Sequence, residues 1–226
     1  VTSPPEIHRV RRLFVNAYLV EEGDGLTLVD TLIPGSGKRI LAAARKLGKP
    51  IRRIALTHAH GDHIGSLDEL VDALGEVEVI ISTREARLLE KDASLDPGEP
   101  QERLRGGLPG ARTKPTRTVA PGERIGSLEV VACPGHTPGH VAFLDLRDRT
   151  LYCGDALTTT GGVATAALSN RRFPVSALFT WHRPTALESA KALRALDPAR
   201  LASGHGRVQE APAAALDRAI ARAERS

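Results

Sequence analysis

The run Leu56-Thr-His-Ala-His-Gly-Asp-His-Ile-Gly65 places three histidines and one aspartate within six residues, from His58 to His63. Neutral imidazole is the commonest metal-binding side chain, and Asp is a hard oxygen donor. Such a cluster is costly to keep unless a cation sits on it. Ile51, Ile54 and Leu56 read as a short buried strand running into the motif. In an extended chain residues i and i+2 face the same way, so His58 and His60 can reach one ion. Gly61 then lets the chain turn, which aims Asp62 and His63 at a second position nearby.

A pocket of this kind needs a core large enough to hold it. The chain has 226 residues, a length that fits one domain over 1–226, and 41% of them are apolar. Aromatic residues make up 3%, so Leu, Val, Ile and Ala must fill the core. The net charge of +4 comes from interspersed signs, and the pairs Arg11-Arg12, Arg52-Arg53 and Arg171-Arg172 are short. That is not the clustered footprint of a nucleic-acid binder. Cys133 and Cys153 sit in apolar, strand-like runs and read as two buried thiols. No stretch approaches 18 apolar residues, so no membrane span is expected. The first residues lack the basic start and apolar run of a signal peptide, which makes the cytoplasm the default expectation.

Along the chain, residues 7–20 predict one or two strands, and a turn at Glu22-Gly-Asp-Gly25 returns the next strand as a hairpin. Ile40, Leu41, Ala44 and Leu47 have helical spacing, stopped by Gly48 and Pro50. A second helical pattern covers Ile64 to Leu74, and Ser82 or Thr83 caps a third. Residues 92–115 hold four prolines and four glycines and break the pattern. A loop this long in a compact domain is a lid or a mobile insertion. Strand patterns resume from Thr116 to Cys133, from Val141 to Leu146 and from Thr150 to Cys153. Residues 160–182 are irregular again. A helix with Pro184 in its first turn, a strand at Arg200–Ser203 and a tail helix complete the chain. Two sheets packed face to face, with helices outside, accommodate this order.

Four loops, each following a strand, carry residues suited to metals: His58/His60/Asp62/His63, His136, Asp155 and His205. Five imidazoles and two carboxylates form a mixed donor set that suits zinc, iron or manganese. His140 reads as support, and His8 and His182 as unrelated to a metal, although His182 could line a pocket beside Trp181.

This arrangement resembles the metallo-β-lactamase superfamily, from Asp30 to His205, through its His-x-His-x-Asp-His motif. The resemblance implies an α/β fold, the four-layer αββα sandwich. It also implies that His58, His60 and His136 hold one metal, that Asp62, His63 and His205 hold a second, and that Asp155 bridges both. Asp30, in Leu-Val-Asp-Thr, matches the acidic residue that supports an imidazole from behind. The expected cofactors are two divalent ions, zinc first, with iron or manganese as alternatives. Two ions about 3.5–4 Å apart can share a hydroxide, because coordination lowers the pKa of water from 15.7 to roughly 7. Asp62 is the expected catalytic carboxylate, orienting that hydroxide.

β-Lactamases of the superfamily often place Cys at the second-metal position or lack a carboxylate bridge, whereas the matching residue here is Asp155. Gly-His-Thr-Pro-Gly-His140 and Gly-Asp-Ala156 resemble the glyoxalase II-like group instead. Twenty-one residues follow His205, too few for that group's helical glutathione-binding extension. The expected activity is hydrolysis of an ester, thioester or lactone. A persulfide dioxygenase-like oxidoreductase with one iron is the main alternative, and a β-lactamase or a non-catalytic binding protein the weaker ones. The expected partner is a small molecule, with neither nucleic acid nor membrane. Arg171, Arg172, Trp181 and Arg183 are candidate substrate contacts, or surface residues.

Overall fold

The computed structural model describes residues 6–168, 170 and 172–226. The first sheet contains β1 (His8–Arg12), β2 (Val15–Glu22), β3 (Gly25–Val29), β4 (Ile51–Ala55), β5 (Glu78–Ser82) and β6 (Arg117–Val119), bonded in that order. Its first two pairings are antiparallel and the next three parallel. Parallel neighbours need long crossovers. These are α1 (Gly37–Leu47), then α2 (Gly61–Ile64) with α3 (Leu67–Leu74), then α4 (Thr83–Leu89) with the irregular 92–115 segment.

The chain continues through β7 (Arg124–Ile125), β8 (Leu128–Ala132), β9 (Val141–Asp145) and β10 (Thr150–Gly154). A small hairpin, β11 (Leu157–Thr158) and β12 (Ala164–Thr165), precedes α5 (Val175–Leu178) and α6 (Arg183–Ala195). β13 (Arg200–Ser203), β14 (Gln209–Glu210) and α7 (Ala213–Glu224) follow. The second sheet runs β14-β13-β10-β9-β8-β7.

Side chains alternate across each strand, and this alternation builds the layers. Tyr18, Val20, Val29, Ala55 and Ile80 of the first sheet meet Leu128, Val130, Val141, Phe143 and Tyr152 of the second. Leu19, Leu28, Ile54, Val79 and Ile81 point the other way and pack under α1, α3 and α4. Ala142, Leu144, Leu151 and Leu201 pack under α6 and α7. The result is the expected α/β four-layer αββα sandwich. Both cysteines are buried and free, as read from their apolar neighbours. No helix of the described residues is long and apolar enough to cross a membrane.

The boundaries differ from expectation at two places that matter for the site. The 7–20 run splits at Leu13-Phe14, where Leu13 takes a left-handed φ of 56° and turns β1 into β2. The helix expected from Ile64 splits at Gly65-Ser66 into α2 and α3. A Cβ on Gly65 would lie 2.5 Å from the Pro34 ring, so only glycine lets those segments touch. The 160–182 segment, expected to be irregular, contains β12 and α5.

Candidate metal centre

All seven expected ligands arrive at one end of the sandwich from loops that follow β4, β8, β10 and β13. Their donor atoms form overlapping groups, each within 4.8 Å: His58/His60/His136, His58/His63/Asp155 and Asp62/His63/His205. His60 precedes the first turn of α2 in an extended conformation, and its carbonyl accepts from the amides of His63 and Ile64. That turn brings the His63 ring against His58, centroids 4.2 Å apart, and Asp62 toward His205, at 3.4 Å from its Nε2. Gly61 has another use than the expected one. It is not among the residues with left-handed φ; its amide donates to Gly107 O, and a side chain there would meet Pro109 at 3.2 Å.

The hydrogen bonds around the cluster decide where each imidazole carries its proton. His60 Nε2 lies 2.9 Å from Arg105 O and His205 Nδ1 3.0 Å from Phe14 O. Carbonyl oxygens only accept, so those nitrogens donate. His63 Nδ1 donates to Asp30 Oδ2 at 2.7 Å. The Thr57 hydroxyl gives its one hydrogen to Asp30 and therefore accepts from His58 Nδ1 at 3.0 Å. Thr180 likewise donates to Ser176 O and accepts from His136 Nδ1 at 3.1 Å. Every outer nitrogen is thus occupied, and the inner nitrogens of all five rings face one another.

This inward set fits dications. His58 Nε2, His63 Nε2 and Asp155 Oδ1 are buried without a hydrogen-bond partner. An unpaired buried polar atom costs about 1–3 kcal/mol; His63 Nε2 and Asp155 Oδ1 at least face each other, but His58 Nε2 has no such neighbour and calls for a missing partner. His60 Nδ1 and His136 Nε2 stand 3.0 Å apart, two lone pairs that need a cation or a proton between them. Asp155 lies between the groups, with Oδ2 3.1 Å from His205 Nε2 and 3.6 Å from His136 Nε2, and Oδ1 3.3 Å from His63 Nε2.

The electrostatics separate the two halves of the cluster. Burial, reinforced by the neighbouring imidazoles, pushes His58 well below its usual pKa. Burial likewise lowers His60 and His136, so all three rings are neutral donors at pH 7. Burial also opposes charge on His63 and His205, but the carboxylates overcome it. Asp155, Asp30 and Asp62 raise His63 well above its usual value. Asp155 and Asp62 bring His205 to about 9. Asp62, despite burial, is held at about 2 by His63 and His205. The carboxylates therefore favour positive charge in this half of the cluster.

Several contributors have no signal in the sequence pattern. Glu85 is completely buried, and its carboxylate accepts from Ala59 N at 2.8 Å and Gly139 N at 2.9 Å. It ties the first ligand loop to the loop carrying His136. Ser82 caps α4 through Glu85 N, and the Ser-x-x-Glu spacing suggests a capping box. Glu85 instead turns inward. Residues 92–115 form no helix or strand, yet Leu104, Leu108 and Ala111 pack against the core. Trp181 is buried, and its indole N–H holds Glu102 O at 2.9 Å. Gly106 has φ of 85°, and a Cβ there would sit 2.4 Å from His60 Nε2.

The remaining histidines stand apart or behind. His140 Nδ1 contacts Cys133 Sγ, and its Nε2 accepts from Asp155 N at 3.2 Å, a supporting position. His8 pairs with Glu21, and His182 caps α6. Arg172 and Arg183 are exposed; Arg171 lies outside the described residues. Above the ligands opens a cavity of about 780 Å³ lined by His60, Asp62, His136 and Asp155, with Phe14 and Phe179 at its walls.

The family model of the metallo-beta-lactamase superfamily matches residues 10–205. The chain belongs to that superfamily. It is 45% identical over 212 residues to the uncharacterized protein YobT of Bacillus subtilis (strain 168), covering 93% of this chain and 91% of that one. It is 34% identical over 165 residues to a hydroxyacylglutathione hydrolase of Rhodospirillum rubrum. That match covers 70% of this chain and 54% of the relative, so this superfamily member spans about half the hydrolase's length. Among solved structures, a di-iron-bound form of TTHA1623 aligns with a TM-score of 0.66 at 28% identity, covering 92% and 96% of the two chains. The B3 metallo-beta-lactamase BLEG-1 aligns at 0.68 and 23% identity, covering 92% and 94%, which speaks for the fold alone.

Proposed function

We propose that this protein is a metal-dependent hydrolase of an ester, thioester or lactone. His58, His60 and His136 would hold one divalent ion, and Asp62, His63 and His205 another, with Asp155 shared. The observation that carries this reading is the inward-facing donor set itself, three overlapping groups with donor atoms within 4.8 Å, in which His58 Nε2 is buried without any partner. Bound ions of this class lower the pKa of water toward roughly 7 and polarise an acyl oxygen. The chain's own groups do the rest. Asp62, ionised and 30% exposed at the cavity floor, accepts a hydrogen bond from the attacking water and orients its lone pair. Asp30 fixes His63 directly and His58 through Thr57. The 92–115 segment roofs part of the site, with Gly107 O bonded to Gly61 N.

Zinc is the proposed metal and a small molecule in the cytoplasm the proposed substrate. Elemental analysis of the purified protein tests this first, with two ions per chain expected. His60→Ala is expected to lower metal-dependent ester hydrolysis by at least about 100-fold with an unchanged circular dichroism spectrum. Unaltered turnover would remove His60 from the site. Iron is the alternative suggested by the di-iron-bound structural relative. One iron per chain, with oxygen consumed in the presence of a persulfide, would replace hydrolysis by oxidation.

A further inference from the structure

The cavity above the ligands has a lining that is informative about charge. Away from the metal cluster, its walls come from Phe14, Ile33, Ile64, Leu108, Val175 and Phe179, with backbone of the glycine-rich 106–110 stretch. The described lining contains neither lysine nor arginine. Its one carboxylate outside the cluster, Asp68, is already bonded: Oδ1 accepts from the amide and hydroxyl of Thr113, and Oδ2 from the amide of Arg112. A basic groove lined by Arg9, Arg11 and Arg207 shares only Phe14 with the cavity, and Arg12 Nη1 donates to Pro34 O of the lining without itself lining the cavity.

The rim continues the same character. Phe14 and Phe179 are 45% and 46% exposed, and Leu13 and Leu178 beside them 67% and 50%. Exposed aromatic side chains at the mouth of an apolar cavity leave water unfavourably placed until something apolar covers them. A cavity of about 780 Å³ lies within the usual range for small-molecule sites, in which a few polar groups orient a mostly apolar ligand. Here, apart from the internally bonded Asp68 and the backbone of 106–110, those polar groups lie in the cluster at the floor.

We propose that the site selects uncharged carbonyl compounds with an extended apolar acyl chain and discriminates against substrates whose acyl chain ends in a carboxylate. This rests on the hydrolase reading for the reaction but on the lining for the selectivity. The scissile carbonyl sits at the cluster while the chain runs along Leu108, Val175 and Phe179. An anionic tail along those apolar side chains would lose its water with no lysine or arginine in the described lining to pair with.

Methyl ketones are non-hydrolysable stand-ins for the esters, so binding and turnover can be separated. With the metal-loaded full chain, calorimetric Kd for 2-butanone through 2-nonanone is expected to fall about fourfold per added methylene, the equivalent of about 0.8 kcal/mol. At pH 7, 8-oxononanoate should bind at least tenfold more weakly than 2-nonanone. kcat/KM for p-nitrophenyl acetate, butanoate and hexanoate should rise in the same order. A flat ketone series, or tighter binding of the carboxylated ketone, overturns the proposal even if esters are hydrolysed. A ketone gradient without turnover of any ester, thioester or lactone of the same acyl chains supports the proposed selectivity and sinks the hydrolase reading instead. Phe179→Arg, at an exposed position, should flatten the ketone gradient and improve binding of 8-oxononanoate; if both profiles stay as in the parent, the proposal fails.

Discussion

Two segments border the site, the irregular 92–115 and the 160–182 stretch that carries β12 and α5, and they hold it by different chemistry. The first reaches the ligands through its backbone: Arg105 O on His60, Gly107 O on Gly61 N. The second reaches the His136 imidazole and Asp155 through side chains, with Thr180 Oγ1 on His136 Nδ1 and Ser176 Oγ donating to Asp155 O, and adds a backbone bond, from Trp181 N to His136 O. Each segment therefore fixes one imidazole of the same triad. Backbone contacts ignore most side-chain changes but are sensitive to steric intrusion. Side-chain contacts are lost with a single atom. The indole of Trp181 joins the two segments by holding Glu102 O.

The contrast can be broken at its strongest point with Gly106→Ala. The added Cβ would approach His60 Nε2 to 2.4 Å on a backbone already at φ 85°. We expect metal affinity to fall about 100-fold in a chelator competition, since partners behind a ligand are worth about 10–100-fold. Retained affinity would show that the roof yields without disturbing His60. Thr180→Val keeps the shape and removes the acceptor from His136 Nδ1. An effect of about tenfold on metal affinity is expected, at the lower end of that range. Arg105→Ala sharpens the contrast from the other side. Only the carbonyl of this exposed residue meets His60, so affinity should stay within about twofold, in line with other surface substitutions. A large loss would mean that the guanidinium, and not the backbone, matters.

Much of this was legible from residue types and spacing. The strand leading into His58, the helix stop at Gly48 with φ 66° and the Ser82 cap follow local rules. The candidate donors were legible too, and the structure brings them together in groups within 4.8 Å, because His and Asp in glycine-rich loops after strands have few structural uses. Glu85 was not. Its sequence position reads as part of a cap, and burial turned it into a brace between two loops. Gly61 was legible as a required glycine but for the wrong cause, since the close approach of Pro109 lies 48 residues away in sequence. The carbonyls of Phe14 and Arg105 could not be read at all, because every residue carries one.

What the chain settles without its fold is which donors exist and which of them are neighbours, because side-chain chemistry and strand or helix periodicity act over a few residues. The folded sandwich alone decides which nitrogen of each ring faces inward and how the cavity is charged. His60 meets Arg105 O across 45 positions and His136 across 76. Such pairings are set by how two sheets pack face to face, and packing is a property of the buried surfaces together rather than of any local stretch.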